Sequence, residues 1–127
     1  PPVLMNEVGK YLGAADALLV NLKKDSLFRI TIPSKTQAYM AAGKPIIMGV
    51  DGDAADLVRE GKCGYVAESE NPRSIADAVI ELMRLSGEQR QEMADRSKAF
   101  YTDKLSLRAG VAAFCEIFKR IGCRRSS

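Results

Sequence analysis

The chain has 127 residues, which is enough for one domain with a modest core. Nineteen Lys and Arg against sixteen Asp and Glu leave a net charge of +3, too small to indicate nucleic-acid binding. The absence of histidine excludes His-based catalytic triads and His-ligated metal sites. No apolar run approaches the ~20 residues that span a bilayer.

The three cysteines, Cys63, Cys115 and Cys123, show no CxxC spacing. An odd number of cysteines without a secretory signal favours free, partly buried thiols in a reducing cytoplasm. The opening Pro1-Pro2, with no initiating Met, leads us to expect a fragment of a longer protein.

The first element is predicted by apolar residues at helical spacing, namely Leu4, Val8, Tyr11 and Leu12. They favour an amphipathic helix over residues 4–13. The short apolar run 17–22 is typical of a buried parallel strand. Residues 23–31 are charged and irregular, and they predict a loop.

The next segment is predicted to be a helix between a proline and a glycine. Pro33 fits the start of a helix, and Gly43 fits its end. Ser34 and Lys35 place a hydroxyl and a positive charge beside the unpaired N–H groups of the first turn. Together these features predict a binding site for a phosphate.

The remaining elements follow the same alternation. We expect a buried strand at 45–50, a capping turn at Asp51-Gly52-Asp53, a helix at 54–61 and a third strand at 64–67. A helix then begins at Asn71-Pro72, and its buried stripe is predicted to be Ile75, Val79, Leu82 and Met83.

Two more helices complete the chain. Residues 88–101 have few apolar anchors and predict a surface helix. The last helix has an apolar face that we expect to pack onto the domain, with membrane contact as the alternative; its residues are Val111, Phe114, Cys115, Phe118 and Ile121.

The alternation of strands and helices predicts an α/β fold with a parallel sheet of about three strands. We expect a single domain over 1–127, with an α/β part at 1–85 and a helical tail at 86–127.

The segment from Pro33-Ser34-Lys35 to Ala41-Ala42-Gly43-Lys44-Pro45 resembles family 4 ("group 1") glycosyltransferases with a GT-B fold, in their nucleotide-sugar-binding domain. The subgroup that it most resembles builds bacterial surface polysaccharides. Ordered blocks extend the resemblance over about residues 4–85, and it continues more loosely over the helical tail. The blocks are Tyr11–Val20, Gly52–Val58 and Cys63–Val66.

The resemblance implies a partial Rossmann-like domain, because the complete domain has six strands and these strands correspond to its last three. The strand at Ala17–Leu22 is then expected to lie at an open edge, or at an edge paired with another molecule.

The resemblance also implies a function. These enzymes move a hexose or amino-hexose from a UDP- or GDP-sugar to a saccharide or lipid-linked acceptor, commonly with retention and without a bound metal or other cofactor. We expect the parent protein to be the enzyme, with UDP-sugar as the favoured donor class. The fragment itself is expected to be inactive, and its location cytoplasmic or peripheral to the inner face of the membrane.

The site residues implied by the resemblance are Ser34, Lys35 and the backbone amide of Thr36, which would contact the donor diphosphate. Ile30 and Ala38 stand where the family often has two glutamates, so no ribose contact is assigned.

Other residues have two interpretations. Asp51, Gly52 and Asp53 form either a structural turn or part of the donor cleft. Lys23, Lys24 and Arg29 fit an exposed loop, with an anion-binding cleft as the alternative. For the whole chain, the alternatives to a glycosyltransferase are a non-catalytic phosphate-binding module and an interaction domain that self-associates through Ala17–Leu22.

Overall fold

The computed structural model of the chain describes residue 4 and residues 6–124. Its three strands are Leu18–Asn21 (β1), Ile46–Gly49 (β2) and Gly64–Val66 (β3). The helices are Val8–Ala14 (α1), Ser26–Arg29 (α2), Ser34–Ala41 (α3), Asp53–Gly61 (α4), Pro72–Arg84 (α5), Gly87–Phe100 (α6) and Leu107–Arg124 (α7). A π-helical turn, Tyr101–Leu105, separates the last two helices. The predicted α/β fold with a three-stranded sheet is confirmed.

The sheet is parallel, in the order β1-β2-β3. Ile47 of β2 is in register with Leu19 on one side and Tyr65 on the other. Strands pair on both sides of β2 and helices cover both of its faces, so all four of its residues are buried.

Two apolar cores cover the two faces of the sheet. The larger joins β1 and β2 to α3 and α4; its residues include Val20, Met40, Ile46, Met48, Ala54 and Val58. The smaller joins the opposite face of β2 to α5 and α6; its buried residues are Ile47, Ala67, Ala78, Leu82 and Met93. The alternation of Ile46, Ile47 and Met48 between these cores follows the period of two along a strand.

The outer side of β1 is an open edge within the described residues, because β1 pairs with β2 alone. The expected open edge at Ala17–Leu22 is therefore confirmed.

An apolar groove of about 300 Å³ runs beside the open edge of β1, between Leu19 and α5. Val79 and Met83 of α5 line this groove, and Met83 is 70% exposed. Our prediction that these two side chains are buried is wrong, because no described element covers the sheet beyond β1.

The predicted first helix begins later than its apolar spacing indicated. α1 begins at Val8, and Leu4 lies outside it with 68% of its surface exposed. Tyr11 lies on α1 but is also exposed. The other end of α1 is held by Lys44, whose Nζ donates to the carbonyl of Gly13 at 2.8 Å.

One further prediction needs correction. The predicted loop 23–31 contains α2, where the Asp25 side chain accepts a hydrogen bond from the Leu27 N–H at 2.8 Å. The helix predicted at the surface, α6, is mostly exposed and buries Met93, Ala94 and Ser97. These three residues are one and three positions apart, so they lie on one face of α6, and this face packs against the domain.

The apolar face of α7 does not pack onto the domain. Val111, Phe114 and Phe118 are all more than half exposed, so the prediction of a buried face is wrong. The close contacts of α7 are chiefly with the π-helical turn that precedes it. No helix among the described residues combines the length and apolarity that a membrane crossing needs.

Gly64 provides a test of the sheet, because a Cβ there would lie 1.8 Å from the Ile46 carbonyl oxygen. We predict that Gly64→Ala lowers the free energy of unfolding by at least about 3 kcal/mol, since the β2–β3 pairing must shift. Urea denaturation measures the change. Gly87→Ala is the control, because nothing beyond its chain neighbours and the backbone of its own helix lies within 4 Å of the added Cβ. Equal losses in the two variants would contradict a role for the close approach.

Cys63 provides a second test, because burial raises the pKa of its thiol above the usual range. The unfolded thiol ionises at about pH 8.5 while the folded thiol keeps its proton, so alkaline pH favours the unfolded state. This contribution is absent below pH ~8, and above it the free energy of unfolding falls by up to about 1.4 kcal/mol per pH unit.

We therefore predict that Cys63→Ala makes the decline of the urea midpoint between pH 8 and pH 10 shallower. Cys115, an exposed free thiol, gives the matched Cys115→Ala control, which should keep the original decline. A decline that Cys63→Ala leaves unchanged would rule out this linkage.

Candidate functional site

The carboxyl ends of the three parallel strands lie at one edge of the sheet. α3 follows β1 and α4 follows β2 along the chain, so the N-termini of both helices face this same edge. Ligands of open α/β sheets bind in the crevice at the carboxyl ends of the strands. The candidate site is therefore built from the loops that follow β1, β2 and β3.

A small cleft of about 10 Å³ lies between these loops. Lys23 and Lys24 reach it after β1, Arg29 reaches it from α2, and Asp51 reaches it after β2. The structure thus brings together two groups of residues that the sequence left with alternative interpretations. Asp25 also lines the cleft, so three cations stand beside two carboxylates, and the excess of one positive charge suits an anionic ligand.

The loop after β2 is packed tightly against the end of α2. Gly52 has a φ of +89°, and a Cβ at this position would lie 2.0 Å from the Arg29 carbonyl oxygen. Only glycine meets both requirements. Gly52 is also the N-cap of α4, so the helix begins at the predicted capping turn, and no side-chain hydrogen bond caps it. Asp53 instead lies in the first turn, where a carboxylate complements the helix dipole.

The loop after β3 contributes a residue that sequence reasoning missed. Ser69 lines the cleft, and its Oγ donates to the Leu22 carbonyl oxygen at 2.9 Å. The available signal was its place after the third strand, where a polar residue reaches the carboxyl edge.

The N-terminus of α3 keeps two free hydrogen-bond donors. Pro33 is the N-cap, and its side chain cannot cap the helix. Within the described residues, no acceptor pairs with the backbone N–H of Ser34 or of Lys35. Both residues are exposed. These two N–H groups and the Lys35 ammonium can therefore receive an anion from solvent.

Thr36 differs from its two neighbours. Its backbone N–H already donates to the Pro33 carbonyl oxygen at 2.9 Å. Its side chain is fully buried, and Oγ1 has no partner among the described residues. Ser34 and Lys35 are thus better placed than Thr36 to contact a phosphate, and the Thr36 contact stays a prediction.

The two parts of the predicted site, the N-terminus of α3 and the cleft between the loops, do not form one continuous cleft. The residues that line the cleft do not include Ser34, Lys35 or Thr36. Ile30, which stands at one of the family's glutamate positions, follows α2 and is mostly exposed. Within the described part of the chain, no three His, Cys, Asp or Glu side chains form a group that could hold a metal ion.

Chemically, the site offers N–H donors and cations at the edge of a parallel sheet. Such groups bind phosphates, and they stabilise negative charge that develops on a leaving phosphate.

Comparison with known proteins agrees with this arrangement. The model of the family described as glycosyl transferases group 1 matches residues 3–100. A search of curated proteins found no match to the chain. The matched segment includes the whole sheet, the N-terminus of α3 and the cleft, and it continues through α6, the first helix of the tail to which the resemblance extends more loosely. With residues 3–100 of 127 matched, the chain belongs to the group 1 glycosyltransferases, which transfer sugars.

Proposed function

We propose that this chain forms the donor-diphosphate-binding part of a family 4 glycosyltransferase of the bacterial surface-polysaccharide type. The enzyme moves a hexose or amino-hexose from a nucleotide-sugar, UDP- rather than GDP-linked, to a saccharide or lipid-linked acceptor, with retention and without a metal ion. The membership of group 1 supports sugar transfer in general, and the finer assignment rests on the motif blocks of the sequence.

The observation that carries this proposal is the pair of free N–H donors at Ser34 and Lys35. Both donors lie in the first turn of α3, which faces the carboxyl edge of the sheet. The helix dipole adds a partial positive charge there, and the Lys35 side chain adds a full one. A donor diphosphate is the group in a nucleotide-sugar that matches this set of donors.

The same groups assist the reaction itself. When the bond between the sugar and the diphosphate breaks, negative charge grows on the departing phosphate oxygen. Hydrogen-bond donors that are already oriented toward that oxygen stabilise the transition state more than the ground state. Removal of one such donor commonly costs about 10²–10³-fold in rate.

The cleft at the carboxyl edge supports the view that this chain does not act alone. Its volume of about 10 Å³ holds no more than a water molecule, far below a nucleotide-sugar. We propose that the donor lies over the edge and is enclosed by a further part of the enzyme, which also binds the acceptor. The 127-residue chain alone should then transfer no sugar; measurable transfer from a UDP-sugar would overturn this part of the proposal.

A second candidate function, self-association, is favoured by the open edge of β1 and the apolar groove beside it. Unpaired strand edges pair readily with other strands. Sedimentation velocity of the chain over a range of concentrations separates the candidates. Dimerisation without any effect of UDP on thermal stability would favour the interaction domain.

Our test of the diphosphate site uses Ser34→Pro in the intact enzyme. Proline is well tolerated at the first position of a helix, and Pro33 has a ψ of 135°, which suits a following proline. The variant deletes one backbone donor while α3 is retained. We predict about a tenfold loss in UDP affinity by calorimetry, the effect of one charge-assisted hydrogen bond.

Ser34→Ala is the matched variant, because it removes the hydroxyl and keeps the backbone donor. It should weaken UDP binding less than Ser34→Pro does. Lys35→Gln should also cost about tenfold, and less at high salt. Lys10→Gln, on α1, controls for the loss of one positive charge. Unchanged UDP affinity in both Ser34→Pro and Lys35→Gln would refute the assignment.

A further inference from the structure

We propose that the Asp51 side chain accepts a hydrogen bond from a hydroxyl group of the nucleotide-sugar, so that the site distinguishes a hydroxyl-bearing donor from a bare diphosphate. This inference rests on the proposed function, because it requires the donor to lie over the carboxyl edge of the sheet. It starts from the cleft at that edge, which Asp51 lines together with residues of α2 and of the loop after β3.

Asp51 is the carboxylate of the cleft that has no partner among the described residues. The other carboxylate, Asp25, already accepts a hydrogen bond from the Leu27 N–H at 2.8 Å, as the cap of α2. Three cationic side chains line the same cleft as Asp51, yet every ion pair in the described part of the chain joins neighbours on one helix. The Asp51 oxygens therefore keep their capacity to accept hydrogen bonds from a ligand.

The backbone that carries Asp51 is fixed on both sides. Val50, just before it, is 2% exposed and belongs to the larger core. Gly52, just after it, packs against the Arg29 carbonyl so closely that no Cβ fits between them. The half-exposed Asp51 thus stands on a backbone that needs no further ordering when a ligand binds, and such preorganisation favours recognition.

The size and charge of the cleft select the ligand group that Asp51 can bind. A volume of about 10 Å³ admits a group of the size of a hydroxyl and excludes a base or a whole sugar ring. A carboxylate accepts hydrogen bonds and repels phosphate oxygens, so its partner must be an uncharged donor. In a nucleotide-sugar, the groups of that kind next to the diphosphate are the hydroxyls of the transferred sugar and of the ribose.

The place of Asp51 in the fold agrees with this chemistry. It follows β2, the strand that comes after the candidate phosphate-binding helix α3. In dinucleotide-binding sheets, an acidic residue about 20 residues after the phosphate-binding turn accepts a hydrogen bond from a ribose hydroxyl. Ser34 and Lys35 do not line the cleft, so a ligand that contacts them and Asp51 must extend from a phosphate to a hydroxyl, as a nucleotide-sugar does.

The test is Asp51→Asn in the intact enzyme, a change that keeps the shape of the side chain and removes its charge. Calorimetry measures the affinity for pyrophosphate, for UDP and for the tightest-binding of UDP-glucose, UDP-galactose and their N-acetylamino forms. We expect the variant to bind the UDP-sugar about tenfold more weakly, the effect of one hydrogen bond to a charged group. It should bind pyrophosphate about twofold to fivefold more tightly, because one repulsive charge is gone.

The result for UDP identifies the hydroxyl. Tighter binding of UDP, as for pyrophosphate, assigns the contact to the transferred sugar. A loss of about tenfold for UDP as well assigns it to the ribose. Both results support the inference, because both set a hydroxyl-bearing ligand apart from pyrophosphate.

Asp56→Asn is the matched control, since Asp56 pairs with Arg59 at 2.9 Å on α4 and does not line the cleft. It removes the same charge and should leave all three affinities unchanged. The urea midpoint of Asp51→Asn should equal that of the unchanged protein, because no described residue hydrogen-bonds to the carboxylate.

A merely structural role of Asp51 in its turn would lower the urea midpoint and weaken all three ligands alike. That result, or equal affinities in the variant and the unchanged protein, would overturn the inference and leave the diphosphate site intact. Failure of the diphosphate site itself has a different signature, namely UDP binding that neither Ser34→Pro nor Lys35→Gln alters.

Discussion

The burial of β2 is the constraint on which the rest of the structure depends. This strand is paired on both sides, and its four residues are buried on both faces of the sheet. Both apolar cores are organised around it, since Ile46 and Met48 contribute to one and Ile47 to the other. Its carboxyl end continues into Asp51 and Gly52, so the strand that orders the cores also places the candidate cleft. A substitution that moves β2 therefore disturbs packing and site together.

The candidate site depends on backbone geometry more than on the identity of polar side chains. The donors at the start of α3 are N–H groups, and they are free because a proline occupies the N-cap. The tight approach of Gly52 to Arg29 is likewise a backbone contact. Group 1 glycosyltransferases transfer sugars, and this chain presents the ends of helices at the edge of a parallel sheet, where phosphates are commonly bound.

Local patterns in the sequence correctly predicted the strand that is buried on both faces and the helix boundaries that have a characteristic residue. The apolar run before Asp51, the glycine after Ala42 and the Asn71-Pro72 helix start all have short-range causes, and all three predictions are confirmed. Exposure could not be predicted in the same way. Met83 and Phe118 have the periodicity of core residues, but burial also requires a covering element, which periodicity does not report. The sequence left undecided, for a related reason, whether Lys23, Arg29 and Asp51 line one cleft. That depends on how three loops pack together.

The hydrogen bond from Ser69 to Leu22 connects the loops of two strands that never pair with each other. It passes across the end of β2 and joins the outermost strands at the site's own edge. A displacement of either loop must therefore stretch this bond or move the other loop with it. Any molecule that orders the loop after β1 would therefore, through Ser69, also restrict the loop after β3.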